Sequence, residues 1–196
     1  MNKIKRDIAG WTRWLHIYLS MFSFGALLFF AITGITLNHP AWMDGRQKIK
    51  QVEGQLTLSW VHADSLRVEE LKVVEHLRNN YNIKAYLSDF TNEATECAVS
   101  FKGPGYTADG FIDRSTGKLQ LTITKSGFIA MMNDLHKGRD SGTTWAWLID
   151  VSAVLMILVS LTGFIMIFYL KKRRFSGLII TVIGAMIILM FYYLFV

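Results

Sequence analysis

LHIYLSMFSFGALLFFAITGITL, residues 15–37, runs for 23 positions without one Asp, Glu, Lys or Arg. About 20 apolar residues in a helix cross the hydrocarbon core of a bilayer. Buried helices of water-soluble domains are seldom so long and so uncharged, so the run reads as a transmembrane helix over residues 14–38. Two later stretches share its character, at 145–170 and 178–196. The last has 19 residues and is the shortest of the three. The first span follows a basic segment, as a secretory leader would. Its apolar run exceeds the ~7–15 residues of a leader core, however, and no small-residue cleavage site follows, so it is expected to stay as an anchor. The expected fold class is a membrane α-helical protein with three transmembrane helices. An extracytoplasmic α+β domain is inserted at 39–144, with a basic loop at 171–177.

Charge placement orients the spans. Residues 1–13 carry Lys3, Lys5, Arg6 and Arg13 against Asp7, a net of +3, and Lys171, Lys172, Arg173 and Arg174 add +4. Residues 39–144 hold 13 basic and 13 acidic side chains and Asp150 supplies the remaining −1, so the positive excess of a chain with net charge +6 lies in two short segments. Such segments stay cytoplasmic, which places the N-terminus inside and the central domain and C-terminus outside. The pI near 9.5 is then a topology signal, with a lipid bilayer and no nucleic acid as partner. Cys97 is alone, so no internal disulfide can form; a lone strand cysteine reads as a small buried apolar residue.

From Pro40 onward the pattern turns to alternation and mixed charge. A loop containing Gly45 and Gly54 leads to a helix predicted over 64–80, with Leu71, Val74, Leu77 and Tyr81 as its apolar stripe. Strands are predicted at 84–90, 94–101, 106–113 and 118–124, joined by turns at 103–105 and 113–117. A short helix at 127–135 leads back to the membrane. One helix on a meander of about four strands is the economical reading. His62 and His76 have no ligand-spaced partners and read as surface polar residues.

Three histidines lie at membrane edges, where ionisable side chains are usually functional. His16 opens the first span, His39 follows its outer end before Pro40, and His136 precedes the second span. His39 and His136 fall at one membrane face and suit the two axial positions of a b-type haem. Zinc fits less well, because a structural site wants four ligands and no cysteine cluster exists. The alternative is that the two histidines cap helices or meet headgroups. Thr33-Gly34 in the first span and Thr162-Gly163 in the second let helices, or a flat macrocycle, approach closely. Asp150 could orient His136, accept from a helix terminus, or sit in the interface. Trp11, Trp14, Trp42, Trp145 and Trp147 read as an aromatic belt. No histidine follows His136, so one chain holds at most one outer bis-histidine haem, and His16 needs a ligand from another copy, another protein or another residue type.

Trp14-Leu15-His16, residues 33–40 (TGITLNHP) and residues 133–139 (NDLHKGR) resemble the PepSY-associated transmembrane helix family. The turn from Ile112-Asp113 to Gly117-Lys118-Leu119 is similar to the strand-turn-strand of PepSY domains, so the inserted domain is expected to be PepSY-like. Larger members of that family include ferric-siderophore reductases of the bacterial inner membrane. They bind b-type haems through membrane-edge histidines and pass electrons to periplasmic iron. The resemblance implies haem at His39 and His136, a periplasmic central domain and electron transfer in iron uptake, with a ferric-reductase activity if the protein is an enzyme. This chain departs from those members in having one PepSY-like domain and three spans, so a homodimer or a redox or transport partner would complete the path. Two other readings stand beside it: a non-catalytic interaction module restraining an envelope protein, and an accessory subunit of a metal-uptake system. A reporter fused after Val196 is expected to be active only outside the cytoplasm; activity inside would remove the third span.

Overall fold

The computed structural model describes residues 3–43, 47–62 and 68–196. Three helices are long and apolar enough to cross a membrane: α1 (Lys3–Leu37), α5 (Gly142–Tyr169) and α6 (Arg174–Phe195). Between the first two lie a 3-10 turn (Pro40–Met43), β1 (Lys48–Gln55), α2 (Leu58–Val61), α3 (Glu70–Tyr81), β2 (Tyr86–Asn92), β3 (Glu96–Gly103), β4 (Tyr106–Asp113), β5 (Lys118–Lys125) and α4 (Phe128–Lys137). The chain divides into two units, Met1–Phe29 with Asp150–Val196, and Phe30–Ile149.

In the first unit the usual burial order is reversed. Ser23, Ser152 and Thr162 are buried, whereas Phe22, Leu161, Phe164 and most of α6 are exposed. Lipid tails are as apolar as Leu, so helices in a bilayer gain from close backbone approach and satisfied hydroxyls. Ser23 donates to the Leu19 carbonyl, and Thr162 donates to the carbonyls of Leu158 and Val159.

The second unit has an ordinary core. Its five-stranded antiparallel sheet has the order β1-β5-β4-β3-β2. Cys97, Val99 and Phe101 of β3, Ala108 and Ile112 of β4, and Leu119, Leu121 and Ile123 of β5 alternate onto one face. Val73, Val74 and Leu77 of α3 belong to the same core. Cys97 is buried with its thiol pushed up by burial, as a packing residue should be.

Three sequence expectations change. The sheet has five strands, because the predicted loop over Gly54 contains β1; Gly45 lies outside the described residues. α3 begins at Glu70; residues 64–67 lie outside the described residues. Its buried stripe is Val73, Val74 and Leu77, while Leu71 is 70% exposed. Predicted strand ends shift by two residues or fewer in β2 and β3, and β4 runs as expected.

One buried cation closes this domain. Arg114, 5% exposed, follows β4 and donates to the carbonyls of Val61, His62 and Glu93. The guanidinium thereby ties the end of α2 to the β2–β3 hairpin. The turn after it is built on Asp113, whose carboxylate accepts from the Ser115 hydroxyl and the Ser115 and Thr116 amides; these bonds hold its pKa down to about 2. Gly117 completes the turn at φ 72. Hydrogen bonds to a charged donor are worth roughly 1.5–3 kcal/mol, and orphaned buried carbonyls add to the loss. Arg114→Ala is therefore expected to destabilise this domain by about 3 kcal/mol, read as a lowered thermal midpoint with loss of near-UV dichroism.

Candidate functional site

The site is assembled on α4. Gly127 precedes its first turn, and Gly138 ends it in the left-handed region at φ 68. Three polar positions within one turn of this helix, 133, 134 and 136, are each engaged. Asn133, 3% exposed, accepts from the Thr36 hydroxyl at 2.6 Å. Asp134 accepts from the Gly105 amide at 2.9 Å, which docks the β3–β4 turn. His136 meets Thr33 of α1, with Nδ1 2.6 Å from Oγ1. The Leu135 carbonyl, left over by the helix end, accepts from the Trp145 indole at 2.8 Å.

The Thr33 hydroxyl spends its proton on the Phe30 carbonyl. With Thr33 Oγ1 3.4 Å from the Phe30 carbonyl and 2.6 Å from His136 Nδ1, the imidazole is held through Nδ1, and Nε2 is the ring nitrogen outside this bond. The His136 ring lies over Gly34, where a Cβ would stand 3.8 Å from Cε1, and meets Phe30 edge-on at 5.1 Å. Burial, and secondarily the Lys137 ammonium, pull the His136 pKa below its ordinary value, so the neutral imidazole is favoured.

The other unit contains a second seat of the same construction. His16 Nδ1 lies 3.0 Å from Thr162 Oγ1, whose proton goes to the carbonyls of Leu158 and Val159. The His16 ring lies across Gly163, where a Cβ would stand 3.1 Å from Cε1. Any larger residue there would displace the imidazole. Again Nδ1 is the ring nitrogen that faces the threonine oxygen. Both Thr-Gly pairs are thus receptors for histidines of other elements.

His39 is exposed and stacked on Trp42, with ring centroids 4.5 Å apart and 20° between planes. No hydrogen bond or ring contact joins His39 to His136 among the described residues. The 3-10 turn that follows His39 packs against α4. Asp150 is exposed on α5. His62 is exposed and its carbonyl accepts from Arg114, while His76 is half-buried, edge-on to Trp60 and bonded to Asn80. Among the described residues no three His, Cys, Asp or Glu side chains converge, so a closed zinc site finds no ligand set. The donor types are those that hold a haem: His136 and His16 are imidazoles each oriented through Nδ1 by a threonine oxygen, each beside a glycine.

Thr33, Thr36, Thr162, Asn133 and Trp145 carry roles that the sequence reading did not assign. For the threonines a trace was visible, since each Thr-Gly pair stood out as small residues in a span. For Trp145 the belt reading hid a specific hydrogen bond.

The sequence profile of the PepSY_TM-like family matches residues 10–196, and the chain belongs to that family. No curated protein and no solved structure matches the chain.

The lowered His136 pKa sets a pH dependence. Between that pKa and the ordinary value near 6.5, the unfolded chain binds more protons than the folded one. The contribution of His136 to stability is therefore complete above about pH 6.5 and declines as pH falls below it. Histidine-selective NMR is expected to show His136 titrating below 6.5 with Nδ1 protonated when neutral; a midpoint at or above 6.5 would contradict the seat.

Proposed function

We propose that this member of the PepSY_TM-like family is a haem-binding electron-transfer protein of the bacterial inner membrane. Its central PepSY-like domain would lie in the periplasm, where it would serve reduction of ferric siderophores or other metal complexes. The observation that supports this reading is the pair of histidine seats, in each of which the imidazole is held through Nδ1 by a threonine hydroxyl, so that Nε2 would be the ligating nitrogen.

His136 and His39 would hold the haem, His136 fixed by Thr33 and Gly34, and His39 braced on Trp42. Haem supplies a one-electron carrier when bound. The remaining work belongs to the chain. Thr33 holds the imidazole rotation and tautomer, so little reorganisation accompanies a change of iron charge. Gly34 keeps the ring's edge clear. Phe30 excludes water from one side of the imidazole. Low His136 basicity keeps the nitrogen unprotonated at neutral pH, where a proton would compete with the metal. His16, on Thr162 and Gly163, is a second ligand of the same kind. The sequence holds no further histidine for it beyond His136, so a complete second site draws on another copy or on a redox partner. As an enzyme the protein would be an oxidoreductase of the ferric-reductase type.

The test is a dithionite-reduced minus oxidised visible spectrum of detergent-purified protein expressed with ample haem. Sharp b-type bands are expected, lost in His136→Ala and in His39→Ala, and shifted in position or potential in Thr33→Val. A featureless spectrum would overturn the proposal and leave the central domain as a binding module on a membrane anchor.

A further inference from the structure

The central domain is electrically balanced overall, yet its lysines are not evenly spread. Lys48 and Lys125 are directly opposed partners on β1 and β5. Like charges in that relation are destabilising, and nothing in the strand pattern requires them. Lys50, two positions on, shares their face opposite Ile123. This is the core face of the sheet, continued past the last turn of α3, where Tyr81 and Asn82 stand in place of apolar cover.

The uncovered end forms a continuous trough. One cavity of about 350 Å³ is lined by Lys48, Lys50, Lys125, Tyr81, Tyr106 and Asn82. A second, of about 490 Å³, shares Asn82, Tyr106 and Lys125 and adds Lys84. No carboxylate is among the described lining residues of either. Their sizes fall in the range of small-molecule sites, roughly 300–1,000 Å³. Lys125 lies 6.0 Å from the centroid of the Tyr106 ring, which steadies its ammonium. Burial pushes the Tyr106 phenol up, so it remains a neutral hydrogen-bond donor.

We propose that this trough binds a small polyanion with clustered carboxylate or phosphate oxygens, held by Lys48, Lys50, Lys84 and Lys125. The anion relieves the Lys48–Lys125 repulsion, and Asn82 and the tyrosines supply neutral contacts around it. The same oxygen chemistry occurs in soluble polycarboxylate chelates of hard metal ions and in anionic lipid headgroups. The trough abuts the Gly103–Tyr106 turn, and Gly105 of that turn is bonded to Asp134, two residues from His136. Its further role, as the docking place of an anionic metal chelate that accepts electrons, rests on the haem reading; the binding itself does not.

The experiment is calorimetric titration of the full chain in neutral detergent with citrate, then with inorganic phosphate, at low and raised salt. Citrate binding is expected to weaken with salt and to fall about tenfold or more in a Lys48→Gln/Lys125→Gln variant whose near-UV dichroism is unchanged. Absence of binding by both anions, or equal affinity in the variant, would overturn the proposal. Repeating the titration in nanodiscs with and without anionic lipid distinguishes the sources. Lysine-dependent loss of citrate affinity in anionic discs identifies headgroups as the occupant; unchanged affinity identifies a soluble anion. The titration needs no haem, so citrate binding by a protein with a featureless spectrum would sink the electron-transfer reading alone.

Discussion

The hydrogen bond from His136 to Thr33 is the contact on which the arrangement of α4 depends. A polar side chain at the membrane edge has little water to fall back on, and an unsatisfied one costs several kcal/mol. α4 presents Asn133 and His136 to α1, and α1 answers with Thr36 and Thr33, one turn apart. Threonine suits the task because its hydroxyl can return its own proton to the preceding helical turn and still accept. Gly34 lies beside it under the imidazole, where a Cβ would be in ordinary contact 3.8 Å from Cε1. With α4 fixed, the Leu135 carbonyl meets Trp145 and the Asp134 carboxylate meets Gly105, so the helix serves as the joint of its unit.

The same arrangement recurs at His16, Thr162 and Gly163. Helix packing in lipid needs small residues and satisfied hydroxyls, and serine or threonine bonded to its own helix supplies both, as at Ser23. It does not need an imidazole. Introducing one brings a second ring nitrogen that packing leaves unused. In both seats Nδ1 is the ring nitrogen that meets the threonine hydroxyl.

Much of the fold was legible in the sequence because the bilayer makes its demand locally. Three long uncharged runs announce three helices whatever their neighbours, and β4 announces itself through turns at both ends. β1 escaped notice because KIKQVEGQ lies at a sheet edge and offers only Val52 and Gly54 to partial burial. Its two apolar side chains, Ile49 and Val52, fall on opposite faces, so it carries no hydrophobic period. The α3 stripe was misphased for a related reason. The helix starts at Glu70, and the sheet beneath it accepts Val73 and Val74 side by side, so Leu71 is turned outward. At the site, His16 and His136 stood out by their chemistry at a membrane edge. Their threonine partners did not, since position 33 meets position 136, and 16 meets 162, only once the chain has folded.

Satisfaction of polar groups and their deliberate excess are both visible in the second unit. Arg114 enters the core only because three carbonyls receive it, and Asp113 is held as a carboxylate by three donors in a turn. Both groups are closed: every charge has its complement within the chain. The four trough lysines are open in the same sense, with no carboxylate lining the space between them. Exposed lysines cost little when dispersed, because water screens them. Lys48 and Lys125 are not dispersed, since the antiparallel register holds them opposite each other. A fold that pairs Arg114 so completely has the means to place Glu or Gln at position 48. Retaining a cation there keeps the end of the sheet positive, and that is a property a partner can use and the core cannot.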